Sequence, residues 1–228
     1  MRKISAIICA YNEEKTVSEV VTTVCDYFFD EVIVVNDGST DSTDKMLTEL
    51  LNLPSLKYIS LPENKGKGYA MSIGVENAIG EIIVFIDADL SNLKEEHFEQ
   101  LITPVFSNEA DMVLGQATET LIKYKFNPFK SFTGERAMLK KDILPILEEM
   151  KTSKFGVETL INLYFQAHGK SVKYVMLEEL KHPTKFDKAS SQSKAVKEFV
   201  LEGHQIALTA FNSFNLLTKI VRNQIKKI

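Results

Sequence analysis

Two carboxylates one residue apart, Asp87 and Asp89, follow directly after the apolar run at residues 82–86. Such a run predicts a strand that is buried on both faces of a parallel sheet. The carboxylates would then lie at the end of that strand, where open α/β sheets bind their ligands. Carboxylate oxygens at such a place suit a phosphate-bound Mg²⁺ or Mn²⁺ better than zinc. The alternative interpretation is a solvated acidic turn, because such turns are common.

Polar residues that could bind a nucleotide follow three other predicted strands. Tyr11 and Glu13 come after the first strand, Asp37 follows the second, and Lys67 opens the helix after the third. The ends of parallel strands lie along one edge of a doubly wound sheet, so these side chains are expected to converge. They offer hydrogen-bonding groups for a base and ribose and a cation for a diphosphate. The pattern therefore predicts a nucleotide-diphosphate site.

Strand-like and helix-like segments alternate along the chain. The predicted strands cover residues 4–10, 31–35, 56–61, 82–86, 112–114 and 172–177. The alternation predicts an α/β fold with a doubly wound, mostly parallel sheet and helices on both faces. A helix at residues 141–150 contains Pro145, so it is expected to be short or kinked. One long helix is predicted at residues 193–227.

We divide the chain into a single catalytic domain at residues 1–192 and a helical segment at residues 193–228. Within the domain, residues 1–115 form the predicted nucleotide-binding half and residues 116–192 the predicted acceptor half. The 228 residues, of which 44% are hydrophobic, suit one α/β domain with a large core.

Composition and missing motifs exclude several classes of protein. The net charge of −4 gives no indication of nucleic-acid binding. The glycine patterns of P-loop enzymes and of Rossmann dehydrogenases are missing. Cys9 and Cys25, the only cysteines, are expected to be packed thiols. We find no signal-peptide pattern and no apolar stretch near the roughly 20 residues of a membrane-spanning helix, so we expect a cytoplasmic protein.

Four motifs together resemble those of family 2 glycosyltransferases, which have the GT-A fold. They are ICAYNEE at residues 8–14, VVNDGSTD at 34–41, NKGKG at 64–68 and FIDAD at 85–89. Each motif is weak alone, but the set in this order and spacing is specific. The resemblance implies an enzyme that uses a sugar-nucleotide donor and a divalent cation, Mg²⁺ or Mn²⁺.

The resemblance also implies a role for each residue that matches a motif. Asp37 would hydrogen-bond the base, and Tyr11 and Glu13 would line the base and ribose. Lys67 would lie near the donor phosphates. Asp87 would contact the ribose or a metal-bound water, and Asp89 would bind the metal directly. Ala10 and Ala88, in the same motifs, would also line the nucleotide-sugar site.

The second half of the chain resembles glucosyl-3-phosphoglycerate and mannosylglycerate synthases, which are retaining relatives with the same fold. The similar stretches are GERA at residues 134–137 and FGVE at 155–158. His182 matches a metal-binding histidine of those enzymes; the alternative is a loop histidine before proline. Glu158 is expected either to contact the acceptor or to favour a helix N-terminus.

Arg136 is expected either to hold an anionic acceptor or to form a surface ion pair. We group Asp89, Glu158 and Arg136 as candidate catalytic residues. Inverting relatives often take a base from an acidic pair in this region. Glu148 and Glu149 are the nearest such pair, but their helical pattern favours a solvated face. The sequence thus leaves inversion or retention open.

The C-terminal segment has apolar residues at intervals of three and four and ends in Lys219, Arg222, Lys226 and Lys227. This pattern favours a helix packed on the core or on a second subunit, that is, a homodimer. The alternative is a basic amphipathic helix at the inner face of a membrane, near a lipid-linked acceptor.

The sequence therefore predicts a metal-dependent glycosyltransferase that moves a hexose from a UDP- or GDP-sugar to an acceptor hydroxyl. The acceptor would be small and anionic. Two alternatives stay open: a non-catalytic subunit that binds sugar nucleotides, and a polyprenyl-phosphate glycosyltransferase at the membrane surface.

Overall fold

The structure, a computed structural model, describes residues 2–117, 133–182 and 192–225. Parts of the predicted acceptor half, residues 118–132 and 183–191, lie outside the described residues, as do Lys226 and Lys227. The division into domains and halves at residues 115 and 192 stays a prediction.

Seven strands form one mixed sheet in the order β3-β2-β1-β4-β6-β5-β7. The strands are β1 (Ile4–Ala10), β2 (Glu31–Asn36), β3 (Leu56–Ser60), β4 (Ile82–Asp87), β5 (Met112–Ala117), β6 (Arg136–Leu139) and β7 (Val172–Leu177). Strands β1 to β4 pair in parallel, and β5 pairs in parallel with β7. Strand β6 lies antiparallel between β4 and β5. The predicted fold class, a mostly parallel α/β sheet, is confirmed.

The helices connect the strands and cover both faces of the sheet. They are α1 (Val17–Cys25), α2 (Thr43–Thr48), α3 (Lys67–Asn77), α4 (Glu95–Phe106), α5 (Lys140–Ile143), α6 (Leu147–Ser153), α7 (Val157–Ala167), α8 (Gln192–Asn212) and α9 (Phe214–Ile225). Short 3-10 turns precede α6 and α7, at Leu144–Ile146 and Lys154–Gly156. No helix among the described residues is both long enough and apolar enough to cross a bilayer.

The central strands divide their side chains between two hydrophobic clusters, one on each face. On β4, Ile82, Val84 and Ile86 join the cluster that includes α1 and α4. Ile83 and Phe85 join the opposite cluster, with α3, α6 and α7. Because successive strand side chains point to opposite faces, an unbroken apolar run is needed when both faces are covered. This is the reason why the run at residues 82–86 identified its strand correctly.

Strand β6 was not predicted from the sequence. It has only four residues and begins with a charged side chain, Arg136, so no apolar run or alternation marks it. Its position depends on pairing with two strands that are distant in sequence; Phe85 of β4 faces Arg136, and Arg136 also faces Leu114 of β5. The pairing brings residues 133–136 beside the end of β4.

The helix expected at residues 141–150 is broken, as Pro145 predicted: it consists of α5, a 3-10 turn and α6. The predicted long C-terminal helix is present but interrupted at Ser213, since α8 ends at Asn212 and α9 begins at Phe214. Asn and Ser are weaker helix formers than Ala or Leu, and the break falls at Asn212 and Ser213.

A buried polar contact ties β1 to β2 and to the segment before β4. The Ser5 hydroxyl donates to Glu31 Oε1 at 2.5 Å and accepts from the Gly80 amide at 2.8 Å. Replacing Ser5 with Ala removes both hydrogen bonds and leaves the amide and carboxylate without this partner. We expect Ser5→Ala to lower the free energy of unfolding by about 1–3 kcal/mol, measured by urea denaturation.

Ser60→Ala is the matched control, because this exposed hydroxyl makes only a 3.3 Å hydrogen bond to Asp44. We expect its effect to stay within about 0.5 kcal/mol. Equal losses in the two variants would contradict the assignment of the Ser5 contact as a buried structural link.

Candidate metal and donor site

The ends of β1, β2 and β4 lie side by side at one edge of the sheet. Asp87 is the last residue of β4 and faces Cys9 of β1, while Ala10 faces Asn36 of β2. The segments that follow these strands carry the residues that the sequence singled out. Parallel pairing therefore brings Tyr11, Asp37 and Asp89 to the same edge.

Asp87, Asp89 and His182 form a cluster that could hold a metal ion, and their candidate ligand atoms lie within 4.8 Å of one another. Nδ1 of His182 is 3.6 Å from Oδ1 of Asp89. Two carboxylates and one imidazole form a donor set that fits Mn²⁺ or Mg²⁺. The side chains that the sequence assigned to the metal site are thus brought together by the fold.

A backbone bridge explains how His182 reaches Asp89 from the far end of the domain. The amide of Ser91 donates to the carbonyl of Lys181 at 3.1 Å, and the amide of Lys181 donates back to Ser91 at 3.1 Å. Because Lys181 precedes His182, this pair fixes the segment after β7 against the segment after β4. The Ser91–Lys181 hydrogen bonds therefore hold His182 close to Asp89.

Glu135 is a site residue that sequence reasoning missed. Its carboxylate is 1% exposed, and its Oε2 accepts a hydrogen bond from Nε2 of His182 at 3.1 Å. Burial alone would raise the pKa of Glu135, but the charge of His182 and the hydrogen bonds from His182 and Thr133 lower it to about 2. Burial alone would lower the pKa of His182, yet Glu135, Asp89 and Asp87 raise it to about 11.

Lys67 joins the metal cluster to the first turn of α7. Its Nζ is 2.8 Å from Oδ1 of Asp87 and 2.7 Å from Oε1 of Glu158. Burial raises the pKa of Asp87, and neighbouring Glu135, Asp89 and Glu158 add to this effect, so that it reaches about 6 despite Lys67. For Glu158, Lys67 and Arg136 overcome the effect of burial and lower its pKa.

Arg136 is completely buried, so the alternative of a surface ion pair is wrong. Its guanidinium donates to the backbone carbonyl of Thr133 and lies 3.4 Å from Oδ1 of Asn162. Burial lowers the pKa of Arg136, while the charges of Glu158 and Asp87 act against this. The positive charge of the guanidinium thus stabilises the negative charges of Glu158 and Asp87. Its expected contact with an acceptor stays a prediction.

Asp37 holds the segment that carries Lys67. Its two carboxylate oxygens accept hydrogen bonds from the backbone amides of Lys65 and Gly66, each at 2.8 Å. Burial raises the pKa of Asp37, and these amides act in the opposite direction. Gly66 has φ of 94°, which favours glycine, and α3 begins at the next residue. The contact with the base that the resemblance implies for Asp37 stays a prediction.

The remaining predicted nucleotide-binding residues differ in exposure. Tyr11 is 43% exposed, so its ring can meet a ligand at the edge of the sheet. Glu13 caps α1 through its carbonyl, which accepts from the amides of Thr16 and Val17. The side chains of Ala10 and Ala88 are buried, so they would contribute backbone groups. Their roles in nucleotide binding stay predictions.

The chain belongs to a family of glycosyltransferases: the profile described as "Glycosyl transferase family 2" matches residues 5–174. The predicted family and enzyme class are therefore confirmed. A dolichyl-phosphate beta-glucosyltransferase of Trichomonas vaginalis is 31% identical over 145 residues, which are 56% of this chain and 43% of that protein. A poly-beta-1,6-N-acetyl-D-glucosamine synthase of Staphylococcus epidermidis is 34% identical over 88 residues, 38% of this chain and 21% of that protein. The chain thus spans less than half the length of these two relatives.

Solved structures of glucosyl-3-phosphoglycerate synthase from Mycobacterium tuberculosis share the fold. The complex with Mn²⁺, uridine diphosphate and phosphoglyceric acid has a TM-score of 0.72 and 22% identity, and covers 92% of this chain and 78% of that chain. The complex with Mg²⁺ and uridine diphosphate has a TM-score of 0.71 and 22% identity, with 92% and 79% covered. The chain therefore has a GT-A-like fold, as the sequence predicted.

The close approach of Gly134 to Asp87 gives a test of the metal site. A Cβ on Gly134 would lie 2.0 Å from Oδ2 of Asp87, so the carboxylate would have to move. We expect Gly134→Ala to weaken Mn²⁺ binding by about tenfold or more, as disturbance of a ligand's surroundings does in other metal sites. The free-ion signal in electron paramagnetic resonance measures this affinity.

Gly203→Ala is the control, because a Cβ there meets no atom within 4 Å. Gly203 lies in α8, so alanine should maintain or raise the thermal midpoint without changing Mn²⁺ affinity. If the Gly134 variant bound Mn²⁺ as tightly as this control, Asp87 would not belong to the metal site.

Proposed function

We propose that this chain is a metal-dependent glycosyltransferase that transfers a hexose from UDP-sugar to an acceptor hydroxyl. The observation that carries the proposal is the convergence of Asp87, Asp89 and His182 beside Lys67 at the edge of the sheet. The family match supports the reaction class. Mg²⁺ or Mn²⁺ is the expected cation, since both are named with structural neighbours that also hold uridine diphosphate.

Asp89 and His182 would hold the cation, with Asp87 at the ribose or at a water of the cation. When bound, the cation acts as a Lewis acid for the departing diphosphate. Lys67 places a positive charge beside Asp87 of the metal cluster. This charge would stabilise the negative charge that develops on the leaving diphosphate. Glu158, kept ionised by Lys67 and Arg136, favours positive charge on the sugar.

UDP is preferred over GDP as the donor nucleotide because the structural neighbours are described with uridine diphosphate or uridine-diphosphate-glucose. Tyr11, exposed at the edge of the sheet, is the group that would lie against the base. Asp37 and Glu13 would complete this part of the site, together with the backbone at Ala10 and Ala88.

A small anionic acceptor is the first candidate. Phosphoglyceric acid and glycerol 3-phosphate are bound in complexes of the structural neighbours, and we take them as models of the acceptor. A lipid-linked phosphate is the second candidate, favoured by the 31% identity to a dolichyl-phosphate glucosyltransferase. Both acceptors carry a phosphate, so the site must accommodate negative charge near the donor. The predicted homodimer, the contact with a membrane and the cytoplasmic location stay predictions.

The proposal predicts that turnover of UDP-glucose depends on Asp89 and on the cation. Replacing Asp89 with Asn removes a metal ligand at nearly constant volume. We expect kcat to fall by about a hundredfold to a thousandfold, as for loss of one strong electrostatic contact to a transition state. UDP release with Mn²⁺ measures this, in parallel with 3-phosphoglycerate, glycerol 3-phosphate or a polyprenyl phosphate in detergent as acceptor. Transfer from GDP-glucose under the same conditions compares the donor bases.

Glu148→Gln is the control, because it also removes one negative charge but from an exposed side chain of α6 that pairs with Lys151. Turnover should be unchanged in this variant, whereas a large loss would favour the acidic pair as an inverting base. Turnover that survives EDTA or Asp89→Asn would overturn the metal-dependent mechanism. Tight UDP-sugar and Mn²⁺ binding without turnover for any acceptor would favour the non-catalytic alternative.

A further inference from the structure

Glu135 is a buried carboxylate that none of the predicted roles uses. We propose that it is a positioning residue: it fixes the orientation and the protonated nitrogen of His182, so that Nδ1 is directed to Asp89 and to the cation. The inference rests on the proposed metal-dependent function, but it concerns metal binding and not the transfer reaction itself.

The contacts of the imidazole support this role. Nε2 of His182 is 3.1 Å from Oε2 of Glu135, and Nδ1 is on the side of Asp89, 3.6 Å from its Oδ1. An ionised carboxylate can only accept, so Nε2 must donate the hydrogen in this contact. A cation bound at Nδ1 would take the place of the proton there, so that Nδ1 offers the lone pair that a metal requires while Nε2 keeps its hydrogen.

The backbone and neighbours of Glu135 hold its carboxylate in place. Its carbonyl accepts from the amide of Gly115 at 2.9 Å, so the β5–β6 pairing fixes the main chain. The hydroxyl of Thr133 lies 2.7 Å from the same carboxylate oxygen that contacts His182. Gly134 lies against the Asp87 carboxylate. Residues 133–135 thus contact two of the three candidate metal ligands, His182 and Asp87.

The burial of the Glu135 carboxylate lowers the stability of the fold unless its contact with His182 compensates. The Glu135 side chain is 1% exposed, and its Oε1 has no hydrogen-bond partner among the described residues. A buried carboxylate without full pairing destabilises a fold. A structural ion pair that only anchors the segment before His182 is the competing explanation. The two roles differ in whether loss of Glu135 changes metal affinity through His182.

The test compares Glu135→Ala and Glu135→Gln for Mn²⁺ affinity, using the free-ion resonance signal, and for the thermal midpoint in EDTA. We expect Glu135→Ala to weaken Mn²⁺ binding by about 10–100-fold, the usual effect of removing such a partner. Glutamine keeps a carbonyl that can accept from Nε2, so it should restore part of the affinity. Nitrogen-15 NMR of His182 in the diamagnetic Mg²⁺ complex should show the proton on Nε2 in the wild type and a mixture of the two tautomers in the alanine variant.

Two controls separate positioning from structure. Asp142→Asn removes another buried carboxylate, paired with Lys170 at 2.9 Å, and should lower the thermal midpoint without changing Mn²⁺ affinity. In a His182→Ala background, Glu135→Ala should weaken Mn²⁺ binding no further, because its effect passes through the histidine. An additional loss in that background, or a fall in thermal midpoint with unchanged Mn²⁺ affinity, would overturn the proposal. Because these readouts need no sugar donor, they stand apart from failure of the glycosyl transfer.

Discussion

The structure depends on bringing four carboxylates together at one edge of the sheet, one fully buried and three partly buried, without leaving their charges unpaired. The group consists of four acids, Asp87, Asp89, Glu135 and Glu158, and three cationic side chains, Lys67, Arg136 and His182. An unpaired buried charge lowers the free energy of unfolding by several kcal/mol. The positions of these seven side chains, and of the strands and helices that carry them, therefore depend on one another. If His182 loses its proton and becomes a ligand, four negative charges face two positive ones. The remaining charge of about −2 is equal and opposite to that of one divalent cation, so a metal in place of the proton would leave these side chains neutral as a group.

Backbone contacts fix the positions of Lys67 and Asp87, which attraction between charges alone would leave variable. Asp37 uses both carboxylate oxygens on the amides of Lys65 and Gly66, and this fixes the start of α3 and hence Lys67. Gly134 allows the segment before β6 to approach the Asp87 carboxylate more closely than any side chain would permit. A lysine has a flexible side chain with high rotamer entropy, so two carboxylates at 2.7–2.8 Å are needed to hold it at one point.

Local patterns in the sequence were enough to predict the edge of the sheet at which Asp87, Asp89 and Lys67 meet. Short stretches of neighbouring residues are sufficient to identify the strand at residues 82–86, the acid pair after it and the position of Lys67. Strand β6 could not be predicted, because its four residues carry no periodic signal and its place depends on β4 and β5. For the same reason the burial of Arg136 and the contact between Glu135 and His182 were missed. The motif GERA at residues 134–137 was the one available signal; it contains Glu135, but only Arg136 was assigned a role from it.

The ionisation of Glu158 bears on the role of this residue in the reaction. A general base works best with a pKa near the working pH and with an unshared lone pair. Glu158 has the opposite properties, since Lys67 and Arg136 lower its pKa and the lysine ammonium occupies its Oε1 at 2.7 Å. A partly buried carboxylate with a lowered pKa stabilises positive charge more effectively than it removes a proton. Its environment therefore agrees better with the proposed electrostatic role than with that of a general base, and Lys67 lies between Glu158 and Asp87.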